Sequence, residues 1–227
     1  SYSVTGVQTC ALPIYPDGWQ RISELAAKYP ALRPAYGIHP LYAASTTTEQ
    51  LERLKILAPT AVAIGEICLD ATYGNLEPQE SLFREQLHIA RQQHLPVLIH
   101  CRKATGRMLT ILREEQADQI GGIMHAFSGS LESARESIKL GFVISLCGTL
   151  TWHNAVRPAL LAAQLPLEQL VLETDAPDLS PADHPATPNR PAWLQATALK
   201  LATIKNVTIA EIALQTSATA RRVIPKL

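Results

Sequence analysis

The sequence has few charged residues, and their charges cancel. Charged residues make up 18% of the 227 residues, and 20 Lys and Arg residues balance 20 Asp and Glu residues. A charge content this low is untypical of disordered chains. The zero net charge argues against a high-affinity, non-specific nucleic-acid binder, because such proteins carry a basic surface. It does not exclude an enzyme that handles a few nucleotides through bound metal ions.

Cysteine pairs, long apolar runs and a secretion signal are also missing. The cysteines Cys10, Cys68, Cys101 and Cys147 form no CxxC pair, which favours reduced thiols in a cytoplasmic enzyme. Cys101 has no neighbouring base, so we interpret it as structural. No apolar run approaches the length of a membrane span, and no signal peptide is recognisable. We therefore predict a cytoplasmic protein with no membrane association and no obligate protein partner.

The first fourteen residues differ from the rest of the chain. They show no helical or strand periodicity that continues past Ile14. Residues 4–14 look like the translation of a sequencing-library adapter. We interpret residues 1–14 as a non-native scar, with a genuine N-terminal arm as the alternative. We expect the native domain to occupy residues 15–227 and the sequence before it to be lost.

Short apolar runs alternate with amphipathic stretches in the rest of the chain. The runs are rich in Val, Ile and Leu, which is typical of strands buried on both faces of a parallel sheet. They cover residues 34–39, 61–69, 96–100, 122–127, 142–147 and 170–174. Helix patterns lie between them, one opened by Pro78, and Thr208 with Glu211 forms a capping box for the last helix. Repeated βαβ units predict an α/β fold with a parallel sheet.

The spacing of polar residues at the ends of these runs indicates a barrel. His39, Glu66, His100, His125 and Asp175 recur at about 27 residues per unit, close to the roughly 30 of a (βα)8 TIM barrel. No Gly-rich fingerprint follows a strand, so a dinucleotide-binding sheet is disfavoured. Six strands can be counted where a barrel has eight. We therefore expect a TIM barrel that lacks about its first two strands.

Four of these strand-end residues form a candidate metal site. Glu66, His100, His125 and Asp175 each end a short, mainly apolar segment (residues 61–66, 96–100, 122–125 and 170–175), where a polar group is costly to bury unless it is paired or metal-bound. A lone histidine there is more often a core residue, and a lone glutamate is often a turn residue. Four such groups in the same topological place favour a shared site, because parallel strand ends converge on one face of a barrel. Two imidazoles and two carboxylates suit zinc, manganese or a similar divalent ion.

Two further residues are candidates for substrate contact. His39 precedes Pro40 and is either a turn residue or a substrate contact. Arg102 follows His100 by two residues. Its guanidinium could bind a phosphate through two parallel hydrogen bonds, or it could be an ordinary loop residue.

Six short motifs resemble those of the TatD family of metal-dependent deoxyribonucleases. They are residues 36–40 (Tyr-Gly-Ile-His-Pro), 62–70 (Val-Ala-Ile-Gly-Glu-Ile-Cys-Leu-Asp), 95–102 (Leu-Pro-Val-Leu-Ile-His-Cys-Arg), 125–129 (His-Ala-Phe-Ser-Gly), 172–177 (Leu-Glu-Thr-Asp-Ala-Pro) and 189–191 (Asn-Arg-Pro). They come in the family's order. The resemblance implies a (βα)8 barrel that binds one or two divalent metal ions (Zn, Mn or Mg). It also implies hydrolysis of phosphodiester bonds in DNA or in a small phosphodiester substrate.

The resemblance also implies roles for individual residues. The implied metal ligands are Glu66, His100, His125 and Asp175. Glu66 and Asp175 would be catalytic, and Asp175 would help to activate the attacking water. The implied substrate contacts are His39, Arg102 and Asn189.

The chain departs from the family in two respects. Cys68 stands where a glycine is common, and we expect little effect. The family's first strand carries a His-x-His pair that completes the metal site, but no two of the seven histidines here are one residue apart. We therefore expect this chain to have impaired activity.

Two other functions remain open. One is a metal-dependent amidohydrolase acting on a small cyclic amide, because that superfamily also uses a barrel with histidine and aspartate ligands at strand ends. It usually places a metal-bridging lysine at the strand end that Glu66 holds here. The other is an incomplete gene product with no activity.

Overall fold

A sheet of seven parallel strands organises the computed structural model, which describes residues 9–11 and 15–227. The strands lie side by side in chain order, and each pairs in parallel with the next. They are β1 (Thr9–Ala11), β2 (Leu32–Tyr36), β3 (Ala63–Asp70), β4 (Val97–Arg102), β5 (Gly122–Met124), β6 (Phe142–Leu146) and β7 (Leu170–Leu172).

Helices connect each strand to the next, as a βα barrel requires. They are α1 (Trp19–Lys28), α2 (Thr48–Leu57), α3 (Leu76–Gln92), α4 (Thr105–Glu114), α5 (Leu131–Lys139), α6 (Val156–Gln164), α7 (Leu194–Lys205) and α8 (Ile209–Val223). The first six of these each join consecutive strands, and α7 and α8 follow β7. None of the described helices combines the length and apolar character needed to cross a membrane.

The structure confirms the predicted α/β barrel architecture and corrects two details. All six apolar runs contain strands, but β1 adds a seventh within residues 1–14, where no strand was expected. β1 has only three residues, which pair with the backbone of β2. A strand this short shows no periodicity in the sequence. The helix expected to open at Pro78 begins at Leu76, because the Asn75 side chain accepts the Glu77 backbone N–H. The capping box at Thr208 is confirmed.

The interpretation of residues 1–14 as a scar stays a prediction. Residues 1–8 and 12–14 of that segment lie outside the described residues.

Alternation along the strands divides the apolar side chains between two clusters. The larger cluster packs the helices against the outside of the sheet. The smaller one takes one residue from each of six neighbouring strands and fills the inside of the barrel, together with Ile224 from the C-terminal end. We call its strand residues the lower ring: Ala35, Ala63, Leu98, Ile123, Val143 and Val171.

A second, polar set of inward-facing residues lies above the lower ring. His100, His125 and Glu173 follow Leu98, Ile123 and Val171 by two positions, so alternation points them to the same inner face. We call these three residues, together with Glu66, the upper ring. The barrel interior therefore changes from apolar to ionisable over the length of two residues.

Candidate metal centre

A β-bulge brings Glu66 into the upper ring. Gly65 pairs with Leu98 and Ile67 pairs with Ile99, so Glu66 is an extra residue opposite no partner. Strict alternation after the inward-facing Gly65 would turn Glu66 outward, but its carboxylate contacts His100 and His125. Bulges commonly re-aim a side chain in this way. The backbone irregularity therefore delivers the first carboxylate of the site.

The bulge region is tightly packed beneath Glu66. A Cβ added to Gly65 would lie 2.5 Å from the Leu98 Cβ, and one added to Gly37 would lie 2.6 Å from the Gly65 carbonyl carbon. Such distances are too short for carbon atoms. Both positions therefore need glycine because the neighbouring strands approach so closely.

His100 lies between two carboxylates. Its Nδ1 is 2.8 Å from Glu66 Oε1, and its Nε2 is 3.2 Å from Asp70 Oδ2. Asp70 is 1% exposed, and its carboxylate also accepts the Thr72 backbone N–H at 2.8 Å. The Asp70 contact fixes the orientation of the imidazole and turns Nδ1 toward the centre of the site.

His125 has a matching arrangement. Its Nδ1 is 2.8 Å from Glu173 Oε2, while its Nε2 is 2.9 Å from Asp175 Oδ1 and 3.7 Å from Glu66 Oε1. Glu173 also accepts the Ala126 backbone N–H, which anchors its carboxylate. His125 Nε2 therefore faces the centre of the site, between Glu66 and Asp175.

The electrostatics of the site are those of carboxylates gathered around buried imidazoles. Burial disfavours the ionised Glu66, but the hydrogen bond with His100 and the nearby histidines outweigh it and lower the Glu66 pKa to about 2. Burial also works against a protonated His125. The charge of Glu173 and the hydrogen bonds to Asp175 and Glu173 outweigh this effect of burial, and they raise the His125 pKa well above its usual value. The carboxylates of the site therefore favour a positive charge among them.

His39 approaches from the end of β2, with its ring centroid 4.8 Å from that of His100. Single donor atoms of His39, Glu66 and His100 lie within 4.8 Å of one another. Burial lowers the His39 pKa to about 4, so its ring is neutral at pH 7. Its Nδ1 accepts the Leu41 backbone N–H at 3.2 Å, which leaves the ring proton on Nε2. These three residues therefore form a second possible set of metal ligands, and with its proton on Nε2 His39 could instead offer a hydrogen-bond donor to a substrate.

Arg102 and Asn189, the other two expected substrate contacts, lie in different surroundings. Arg102 is the last residue of β4, and it is exposed at the mouth of the barrel. Asn189 is 5% exposed, and its amide nitrogen donates to the Thr174, Asp178 and Leu179 carbonyls. Its amide oxygen accepts the Arg190 backbone N–H. The Asn189 side chain therefore holds the loop after β7 together and has no polar group left for a direct substrate contact.

The donor set fits a divalent metal ion. Glu66, His100, His125 and Asp175 form a continuous chain of contacts no longer than 3.7 Å. Each imidazole uses one nitrogen for a supporting carboxylate and turns the other toward the centre, which is typical of histidines that bind metals. Carboxylate oxygens with imidazole nitrogens are ligands that zinc and manganese accept.

Sequence reasoning missed the two supporting carboxylates, Asp70 and Glu173. Both lie inside the TatD-like motifs, but neither received a role. The signals that could have revealed them were the burial expected for an aspartate closing an apolar run and the Glu-x-Asp spacing of Glu173 and Asp175.

Comparisons with known proteins agree with this geometry. A family model described as TatD related DNase matches residues 2–225. An uncharacterized metal-dependent hydrolase of Bacillus subtilis, YabD, is 38% identical over 206 residues, which cover 89% of this chain and 81% of that protein. The crystal structure of YjjV, a TatD homolog from Escherichia coli, superposes with a TM-score of 0.90 at 30% identity, covering 96% of this chain and 86% of the other.

Proposed function

Because this chain belongs to the TatD-related DNase family of metal-dependent hydrolases, we propose that it cleaves phosphodiester bonds in DNA. One observation carries the proposal. Two imidazoles at the barrel mouth each lie between an anchored carboxylate and a carboxylate of the central site. This arrangement supports metal-assisted hydrolysis over nucleophilic catalysis by a side chain, because all of its members are residue types that bind metal ions or orient histidines that do.

Four residues would hold one or two divalent ions, which we propose to be Zn, Mn or Mg. They are Glu66, His100, His125 and Asp175. When bound, such an ion supplies a Lewis acid that neutralises charge on the phosphoryl oxygens and acidifies water. Glu66 contacts both imidazoles, so its carboxylate would hold the ion at the centre.

Asp175 is the residue that we propose to accept a proton from the attacking water. Its side chain is 27% exposed, whereas that of Glu66 is 10% exposed, so water reaches Asp175 more easily. Its contact with His125 keeps the carboxylate oriented. A carboxylate placed beside the nucleophile can act as a general base.

His39 and Arg102 would bind the phosphodiester group. The Nε2 proton of the neutral His39 can donate to a phosphoryl oxygen, and the exposed Arg102 guanidinium can form a two-pronged contact with another. Asn189 would contribute indirectly by holding the loop that starts at Asp175.

The experiment that tests this function measures cleavage of a single-stranded DNA oligonucleotide by the purified chain. The activity, which we expect to be low because the chain has no His-x-His pair, should disappear in a chelator and return with manganese, magnesium or zinc. Activity that persists in chelator would exclude the metal mechanism. Turnover of a small cyclic amide without cleavage of DNA would favour the amidohydrolase alternative. Metal analysis of the purified protein separates both enzymes from an inactive gene product, which would contain no stoichiometric metal.

We also propose a cytoplasmic location. The support is the set of free thiols among the described residues, at Cys68, Cys101 and Cys147, because the cytoplasm keeps thiols reduced.

A further inference from the structure

We propose that a groove beside the metal centre binds one nucleobase of the substrate, an inference that rests on the proposed phosphodiesterase function. The groove has a volume of about 770 Å³. It lies between two loops at the carboxyl ends of β6 and β7, and Trp152, His153, Pro177, Asp178 and Pro181 are among its lining residues. Binding sites for small molecules usually measure about 300–1,000 Å³, so a nucleoside fits.

The loop after β7 links the groove to the metal centre. Pro177 lies two residues after Asp175, and the Asp178 backbone N–H donates to the Asp175 carbonyl at 2.8 Å. A phosphodiester group beside Asp175 would therefore have its attached nucleoside within reach of the groove. The position suits a part of the substrate that does not itself react.

The chemistry of the lining favours a neutral, flat ring. Among the described residues that line the groove, none is Lys or Arg, so a second phosphate would find no cation there. Asp178 adds a carboxylate, which disfavours anions further. Trp152 is 39% exposed, and the neighbouring prolines offer flat apolar faces. Aromatic side chains stack on nucleobases without strong base preference, and His153 and Asn154 provide polar groups for the edge of a base.

The two loops are fastened to each other, so the groove is preformed. The Trp152 indole Nε1 donates to the Ser180 carbonyl at 2.9 Å, and the Ala182 backbone N–H donates to Thr151 Oγ1 at 2.7 Å. Gly148 allows this contact, because a Cβ there would lie 2.1 Å from the Leu179 carbonyl oxygen. Preformed sites lose little conformational freedom on binding.

Binding of 2′-deoxyadenosine, monitored by ligand-observed NMR, tests the groove without any turnover. The nucleoside should bind and 2-deoxyribose should not. Trp152→Leu should weaken nucleoside binding by about 5- to 150-fold, the loss expected for one base–aromatic stack. Trp152→Phe keeps an aromatic ring but loses the hydrogen bond to Ser180, and it should retain most of the affinity. Tyr29→Leu removes an exposed aromatic residue outside both loops and should change nothing.

Two results would overturn the proposal. One is equal nucleoside affinity in the wild type and Trp152→Leu. The other is an equal loss in Trp152→Leu and Trp152→Phe, which would show that Trp152 serves only to fasten the loops.

Cleavage kinetics separate this inference from the proposed function. A deoxydinucleotide should have a lower KM than its abasic counterpart. Trp152→Leu should reduce this difference in KM between the two substrates, and it should change kcat less than it changes KM. Equal KM values for the two substrates in the wild type would refute the base site and leave the nuclease function standing. Cleavage of neither substrate, with nucleoside binding still dependent on Trp152, would refute the nuclease function and support the base site.

Discussion

The lower and upper rings of the barrel interior are neighbours, and three of the four upper-ring residues follow a lower-ring residue by two positions, yet the two rings differ in almost every physical property. The lower ring consists of buried aliphatic side chains such as Ile123 and Val143. The upper ring holds two imidazoles and two carboxylates, of which Glu66 and His125 are buried and His100 and Glu173 are partly exposed. Burying aliphatic groups stabilises the fold, whereas burying ionisable groups costs desolvation energy that only partners or a metal ion can offset.

The difference shows how one fold separates stability from chemistry. Each upper-ring imidazole follows a lower-ring aliphatic residue by two positions on the same strand face. The packing of the lower ring therefore fixes the positions of the imidazoles. We expect changes in the upper ring to reduce activity with little loss of stability, and changes in the lower ring to do the reverse.

The largest expected effect is that of Asp175→Asn, just beyond the upper ring. It should lower kcat for DNA cleavage by several orders of magnitude, because it removes a charged ligand and a general base together. The melting temperature of the metal-free protein should change little, while its increase on adding manganese should shrink. Asp183→Asn, in the same loop but with a side chain 62% exposed, is the matched control. Normal turnover by Asp175→Asn would remove this residue from the mechanism.

The next largest effect is expected in the lower ring. Ile123→Ala should lower the free energy of unfolding by about 2–5 kcal/mol, because it leaves a cavity among the strands. Activity per folded molecule should stay close to normal. Ile123→Val should lower the free energy of unfolding by about 0.5–1.5 kcal/mol. This milder variant tests the same prediction if the alanine variant does not fold. Leu214→Ala, at a residue 75% exposed, should be neutral. If Ile123→Val abolished activity without loss of stability, the separation of the two rings would be wrong.

Sequence patterns predicted the strands and part of the site because both depend on local order. Six apolar runs became strands, and His100 and His125 were predicted as ligands because each follows an apolar segment. Glu66 was predicted on the same ground, but its inward direction could not be predicted, since the bulge depends on pairing with β4. The structure brings the three side chains together, and their role as ligands stays a prediction. Asp70 acts on His100 across 30 positions of sequence, which no local pattern reveals. A motif predicted a substrate contact for Asn189, but its side-chain amide forms hydrogen bonds with the backbone of the loop after β7.

A smaller effect should come from the carboxylates behind the imidazoles. Asp70→Asn and Glu173→Gln should each weaken metal binding by about 10- to 100-fold, since partners of ligating histidines typically contribute that much. Competition with a chromophoric chelator measures the affinity. Glu24→Gln, an exposed glutamate on α1, is a control that should leave metal affinity unchanged. Unchanged metal affinity in both site variants would mean that Asp70 and Glu173 only stabilise the empty site.

The smallest effect is expected far from both rings, at an ion cluster between α3 and α4. Glu115 lies just after α4, is 14% exposed, and contacts Arg84 and His88. Burial opposes its ionisation, but the hydrogen bonds with Arg84 and His88 outweigh burial and lower the Glu115 pKa. A lowered pKa in the folded state means that the stabilisation is present above the unfolded pKa of about 4.3 and is lost as the pH falls through the folded value.

Glu115→Gln should therefore lower the free energy of unfolding by roughly 1 kcal/mol at pH 7, since partly exposed ion pairs contribute little. Denaturant unfolding measured between pH 7 and pH 3 should show that the difference in the free energy of unfolding between wild type and variant decreases as the pH falls. Glu52→Gln, in an exposed pair with Lys55, should show a smaller gap at every pH. Metal-dependent cleavage should be the same in all three proteins, because neither glutamate reaches the barrel interior. A change in metal affinity in Glu115→Gln would mean that the outer helices tune the upper ring, and the two-ring division would then have to include them.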